Sequence, residues 1–233
     1  MPLTMPTNDQ STAGPVLVSP IPPGASMGDR AYYVLRDKIV SLRMPPGSLV
    51  REDDLMAELD MSRTPLREAL LRLSREGLIE TLPRRGTFVT DVNVGDIGQI
   101  YELRRELEVI AAGWAAERAT PRDHPRIDAL LQEMRALPDG EKQDARTLVD
   151  IDLRAHQLIY DLSGNRLIPD LLVSYYYLAI RIWFVASVRV TMEEPVGDLP
   201  ELLEAIKRND VGAARESARK HNKLAEATIR TAL

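Results

Sequence analysis

Two groups of side chains in this sequence carry chemistry that a plain structural role does not require. The first lies in SRTPLREALLRLSREGLIETLPRRGTFV, residues 62–89, where six arginines stand against three glutamates. A guanidinium fork can bond O6 and N7 of one guanine together, and it suits phosphate equally well. The second group is Asp152 and His156, four positions apart, with His221 far downstream. On a helix that spacing puts both side chains on one face. An aspartate and two histidines can hold a divalent ion such as zinc, and the ion can then bind a carboxylate ligand. The alternative is that the histidines are hydrogen-bonded interior groups. Arg104 and Arg181 are further candidates. Either can pair with an organic acid, or with an acidic side chain of the protein itself.

Composition narrows the setting for this chemistry. The 233 residues carry a formal net charge of −5 and no cysteine, so thiolate metal sites and disulfides are ruled out. The charge is unevenly spread. Residues 62–90 hold six Arg and three Glu, a balance of +3, whereas 92–233 hold 19 Lys and Arg against 23 Asp and Glu, a balance of −4. A basic patch on an acidic body implies an anionic partner for one part of the chain. The first 27 residues contain no Lys or Arg, so no basic n-region of a signal peptide is present. The apolar run Leu167–Val190 is interrupted by Asp170 and Arg181 and reads as a poor membrane span. A cytoplasmic chain is expected.

The elements that must position these groups follow from spacing and punctuation. Residues 1–27, rich in Pro, Ser, Thr and Gly, read as a disordered leader. Tyr32, Leu35, Ile39 and Leu42 recur at helical spacing until MPPG stops the helix. EDDLMAEL makes a second, short helix with Leu55, Met56 and Leu59 inward. Ser62 or Thr64 caps a third, Pro65 falls in its first turn, and Gly77 ends it. Leu66, Ala69, Leu70 and Leu73 form its buried stripe and Arg63, Arg67, Arg72 and Arg75 its outer surface. LIETL and TFVT read as two strands joined by the turn PRRG. After Asp91 helical patterns follow one another, roughly over 94–119, 122–137, 143–163, 166–190, 198–209 and 211–231. The fold class is therefore mainly α: a winged helix-turn-helix over 28–91 and an all-α bundle over 92–233.

Two helices joined by a tight turn, the second with Arg at its N-terminal end, match the layout in which the second helix enters the DNA major groove. Thr64 and the helix N-terminus can hold phosphate. The cationic tip Arg84–Arg85–Gly86 can enter the adjacent minor groove or grip the backbone. Arg72 and Arg75, late in the helix, read as a solvated face.

The order PPG…MSRTPLREAL…EGLIE…RGTFV resembles the GntR family of bacterial transcription regulators. The resemblance implies DNA contacts from Arg63, Thr64, Arg67, Arg85 and Gly86. A glycine is more usual in that family at about Leu42. IYELRRELEVIAAGWAAERA, with DIDLRAHQLIYDLSGN and the terminal A.E.ARKHN, resembles the FCD ligand-binding domain of its FadR-like branch. That pattern supplies one Asp and three His as metal ligands. Asp152, His156 and His221 match; the remaining His falls near Leu199, and leucine cannot ligate. Arg104 lies in the helix that lines the family's effector pocket. Tyr175, Tyr176, Tyr177, Trp183 and Phe184 read as core or pocket wall, His124 as an exposed residue, and Asn165 as a turn residue.

These readings combine into one expectation. The chain is a homodimer that presents two winged helices to a double-stranded operator, more commonly as a repressor. A small metabolite, a carboxylate by family analogy, modulates it from the helical domain, with a divalent metal as possible cofactor and no catalytic residues. The rival is a metal-dependent hydrolase built on Asp152, His156 and His221.

Overall fold

The computed structural model describes residues 21–137, 145–187 and 197–232. Most of the expected leader, residues 1–20, lies outside them, as do Pro138–Gly140, Pro195 and the end of the run toward Val190. The first helix, α1 (Met27–Val40), begins where Ser26 and Asp29 close a capping box: Asp29 N donates to Ser26 Oγ at 3.1 Å and Ser26 N to Asp29 Oδ2 at 3.3 Å. It packs on α3 (Arg63–Arg75) through Ala31, Leu35, Leu66, Ala69 and Leu73, all fully buried. Between them lies α2 (Glu52–Leu59), joined to α3 by a turn in which Asp60 takes a left-handed conformation, φ 47°. Leu42 is also left-handed, at φ 59°. The glycine that the resemblance implies at about this position would adopt that conformation without a Cβ penalty.

Ser62 is the residue before α3, but its side chain makes no capping bond. Gly77, φ 71°, releases the chain into β1 (Ile79–Leu82), which pairs antiparallel with β2 (Gly86–Val89), Ile79 opposite Val89 and Leu82 opposite Gly86. The hairpin has a third partner that local patterning did not reveal. Leu49 bridges Phe88, with Val50 N donating to Thr87 O at 2.8 Å and Val89 N to Ser48 O at 2.9 Å. The segment before α2 therefore pins the wing to the helices.

The remaining elements are α4 (Ile97–Arg118), α5 (His124–Arg135), α6 (Ala145–Leu162), α7 (Leu167–Ser187), α8 (Leu199–Lys207) and α9 (Val211–Ala232). The central helix is α4, which touches α6, α7, α8 and α9. Its small residues Ala111, Ala112, Gly113, Ala115 and Ala116 let neighbours come close, and a Cβ at Gly113 would collide with the Arg215 side chain of α9. His124 opens α5 and is half-buried rather than exposed. Asn165 Oδ1 accepts from Leu167 N at 3.0 Å, so this turn residue also ties down the start of α7.

By length and composition alone α7 is apolar enough to cross a membrane, even with Asp170 and Arg181 in the run. Leu172, Tyr176, Tyr177, Ile180 and Ile182 are nevertheless buried against protein, as in a core helix. Its residues Tyr177, Ile180 and Trp183 share one apolar cluster with Leu35, Leu66 and Leu73 of the N-terminal helices, whereas Leu172 belongs to the second cluster, inside the bundle.

Candidate nucleic-acid interface and effector cavity

The outer face of α3 is open. Arg63 and Arg67 are 56% and 64% exposed at their side chains, and Thr64 is exposed beside them. Their only partners among the described residues are surface acids at the start of α2. Arg63 Nη2 reaches Asp53 Oδ1 at 3.0 Å, and Arg67 Nε reaches Glu52 Oε2 at 3.1 Å. Exposed pairs of this kind contribute only about 0–1 kcal/mol, so a nucleic acid can replace them. At the tip of the wing Arg84, φ 63°, Arg85 and Gly86, φ 111°, are all exposed. A Cβ at Gly86 would stand 3.0 Å from Leu49 Cδ1, so both the turn and the close packing call for glycine.

Arg72 does not join this face as a solvated group. Its Nη1 donates to Asp29 at 2.7 Å, and its guanidinium lies 3.7 Å from the centre of the Tyr32 ring. It fastens α3 to α1. Arg75 is exposed as expected.

In the bundle, Asp152 and His156 on α6 meet His221 on α9, with one ligand atom from each within 4.8 Å of the others. In each histidine, Nδ1 has an acceptor within hydrogen-bond distance. His156 Nδ1 lies 2.9 Å from the Asp152 carbonyl, one turn back, and His221 Nδ1 lies 2.8 Å from Asp198 Oδ1. In each ring Nδ1 is the nitrogen placed to donate, so Nε2 is the nitrogen that a metal ion would meet. Asp152 Oδ2 accepts from Tyr176 Oη at 2.6 Å, whereas its Oδ1 is buried without a hydrogen-bond partner, 3.9 Å from His221 Nε2. A buried carboxylate oxygen left unpaired is costly unless something cationic or donating faces it. The donor set thus fits a divalent ion, with Asp198 orienting His221 as carboxylates orient metal-binding histidines. Leu199, where a further His was expected, is fully buried and offers no ligand.

Arg104 is buried beside this cluster. Its Nε donates to Glu108 Oε1 at 2.9 Å, and its Nη2 stands 3.4 Å from His156 Nε2. Tyr160 Oη donates to Glu108 Oε1 at 2.6 Å and Asn222 Nδ2 to Glu108 Oε2 at 2.7 Å. Burial alone would raise the Glu108 carboxyl, but the adjacent Arg104 charge and His156 outweigh it and hold it well below the usual carboxylate range. Burial likewise opposes protonation of His156, and the carboxylates of Asp152 and Glu108 more than compensate, raising it. The phenols of Tyr160 and Tyr176 are pushed well up, first by burial and then by Glu108 and Asp152 respectively.

A cavity of about 390 Å³ opens onto this network, lined by Arg104, Asp152, Asp198 and His221 with apolar walls from Ile180 and Trp183. Sequence reasoning missed Glu108, Asp198, Tyr160 and Asn222. A faint signal existed for two: Glu108 is a charge four positions after Arg104 in an otherwise apolar helix face, and Asp198 adjoins the place of the expected histidine.

Arg181 is not in this cavity. It lines a second cavity instead, with Asp91 and Tyr175, and forms no ion pair among the described residues. Its Nη1 donates to Thr90 Oγ1 at 2.8 Å and its Nη2 to the Thr90 carbonyl, just after β2. Burial lowers its pKa to about 10, against the pull of Asp91. Phe184 and Trp183 stack edge to face at 5.3 Å. The second cavity, with Tyr175, lies between α4 and α7.

Two family profiles match successive parts of the chain. The family profile "Bacterial regulatory proteins, gntR family" matches residues 28–89, and that of the FCD domain matches residues 99–224. The HTH-type transcriptional repressor RspR of Escherichia coli is 22% identical over 200 residues, covering 85% of this chain and 87% of that protein. The Nta operon transcriptional regulator of Aminobacter aminovorans is 33% identical over 145 residues, 62% of this chain and 66% of that protein. Among solved structures, E. coli McbR/YncC superposes with a TM-score of 0.76 at 23% identity, over 89% of this chain and 98% of that one. A GntR regulator from Rhodococcus sp. RHA1 gives 0.67 at 25% identity, over 90% and 100%.

Proposed function

The chain belongs to the GntR family of bacterial regulatory proteins, in the branch that carries an FCD domain, and on that premise we propose that its cavity takes a small organic acid which governs how two winged helices address an operator. It is a DNA-binding transcription regulator with a C-terminal effector-binding domain. It is not an enzyme, and the hydrolase reading has no support from the family or the relatives. In the proposed division residues 28–91 read DNA and 92–233 sense the effector. Arg63, Thr64, Arg67, Arg85 and Gly86 are the proposed DNA contacts. Repression relieved by the effector, acting in the cytoplasm, is the proposed mode.

The observation that carries the effector reading is the unpaired, buried Oδ1 of Asp152, a residue that lines the same cavity as Arg104 and His221. Asp152, His156 and His221 would hold a divalent ion, zinc by its preference for this donor set. A bound ion would supply a positive centre for a carboxylate. Zinc is expected to raise the thermal midpoint of the full chain, since a ligand at about 100 times its Kd adds about 2.7 kcal/mol. The shift should vanish in His221→Ala and grow when small carboxylic acids are added. An unaltered midpoint with zinc, in a chain whose acids still bind, removes the metal and leaves the effector. Midpoints that respond to neither remove both.

Transmission is supported by the two faces of α7. Tyr176 holds Asp152, and Ile180 and Trp183 line the cavity. The interleaved residues Tyr177 and Arg181 reach the reading domain, with the Tyr177 ring 4.9 Å from the Arg36 guanidinium of α1 and Arg181 on Thr90. An occupant that shifts α7 would bias the placement of the winged helix, and only its unequal affinity for the two placements can drive the change.

Pairing of two chains is proposed through α4 and α7. Leu103, Leu107, Ile110 and Trp114 form a partly exposed stripe on α4, and Leu167 and Leu171 stand out from α7. Leu103 lines one cavity with Tyr175 and Leu178, so the apolar surface crosses from one helix to the other. An isologous two-fold pairing would bury it. The double substitution Ile110→Glu with Leu171→Glu should convert a dimer to a monomer in light scattering and weaken operator binding. A variant that remains dimeric would place the interface elsewhere.

A further inference from the structure

Among the described residues, the arginines at the start of α3 are already engaged by carboxylates, and those of the wing are not. Glu52 Oε2 lies 3.1 Å from Arg67 Nε and 3.9 Å from Arg63 Nε, and Asp53 Oδ1 lies 3.0 Å from Arg63 Nη2. No ion pair reaches Arg84 or Arg85 among the described residues. Glu52 opens α2, where the helix dipole favours a carboxylate whether or not a partner is near. Asp54 stands in the same turn and meets neither arginine. Glu52 is the acid that touches both, and it is the less exposed member of each pair, at 32%.

A carboxylate so placed has two effects. It holds two flexible forks in one direction, which lowers the ordering cost of using them. It also puts negative charge where a phosphate would come, which penalises any complex that offers only phosphate in return. We infer that Glu52, assisted by Asp53, is a specificity-determining positioning residue that aims Arg63 and Arg67 toward base edges and withholds them from the DNA backbone. The inference rests on α3 being the DNA-reading helix. The wing, with no such acids, is left to grip DNA without regard to sequence.

The test uses the full chain and two probes: the duplex that the unaltered chain selects from a random-sequence pool, and a scrambled duplex of the same length. Glu52→Gln keeps the shape of the side chain and removes its charge. Scrambled DNA should then bind more tightly, selected DNA equally or less tightly, and the ratio of the two should fall by about tenfold, the discrimination of one bidentate base contact. The dependence of scrambled binding on salt should steepen by roughly one to two units of slope, one for each arginine freed to meet a phosphate. Asp53→Asn, at a position too exposed to threaten folding, should move both readings the same way by less. A specificity ratio unmoved in both variants, whether the two affinities shift together or not at all, overturns the inference. Arg67→Ala separates that result from failure of the premise. If it leaves selected binding intact, α3 is not the reading helix; if it abolishes selected binding while Glu52→Gln leaves the ratio alone, only the role of Glu52 falls.

Discussion

Arg67→Ala is expected to weaken binding to the selected duplex by roughly tenfold to a hundredfold, the 1–3 kcal/mol that a bidentate contact to a base contributes. The fold should not change. The Arg67 side chain is mostly solvent-exposed, and its internal partner is the surface acid Glu52. An exposed pair contributes about 0–1 kcal/mol, so the thermal midpoint should move by only a few degrees at most. Fluorescence anisotropy across a salt series tells which contact was lost. A base contact gives relaxed preference at one position with an unchanged salt slope. A phosphate contact gives uniform weakening and a slope reduced by about 0.9. Full affinity with full sequence preference would remove α3 from the interface. Arg72→Ala makes the contrasting case. That guanidinium lies on the Tyr32 ring and donates to Asp29, so its loss should reach DNA only through a loosened α1–α3 contact.

Glu108→Ala should be the most damaging single substitution in the bundle. Glu108 is buried and accepts from Arg104, Tyr160 and Asn222, on α4, α6 and α9. Removing it strands the Arg104 charge in the interior, and breaking one side of a buried pair costs about 3–5 kcal/mol. For a chain of this size that corresponds to a fall of roughly 6–20 °C in thermal midpoint. The same loss at an exposed pair such as Arg126–Asp161 should be barely measurable. The double variant Arg104→Met with Glu108→Leu supplies the control. Because two apolar groups leave no unpaired charge, it should be more stable than Glu108→Ala alone. It should also lose the carboxylate response, since Arg104 lines the cavity. If Glu108→Ala melts within a degree or two of the unaltered chain, the network does not hold these helices together. A double variant no more stable than the single one would mean the cost comes from lost packing volume, not stranded charge.

What could be read from the amino acids alone was whatever acts over a few positions. Although α1 ends at Val40, before Leu42 and the prolines expected to stop it, Pro65 in the first turn of α3, the buried stripe Leu66–Leu70–Leu73 and the turn PRRG are local steric and periodic facts, and each lies where spacing put it. The same holds for Asp152 and His156, whose four-residue spacing sets them on one face wherever the helix goes. Partners distant in sequence were decided only by the packed chain. Glu108 finds Asn222 across 114 positions, His221 finds Asp198, and Leu49 joins the wing at Phe88. Arg72 read as a solvated charge until helix packing set it on Tyr32, and Arg181 found Thr90 across 91 positions. A charge's role depends on what shares its low-dielectric surroundings, and those surroundings exist only once α4 has been enclosed by the helices around it.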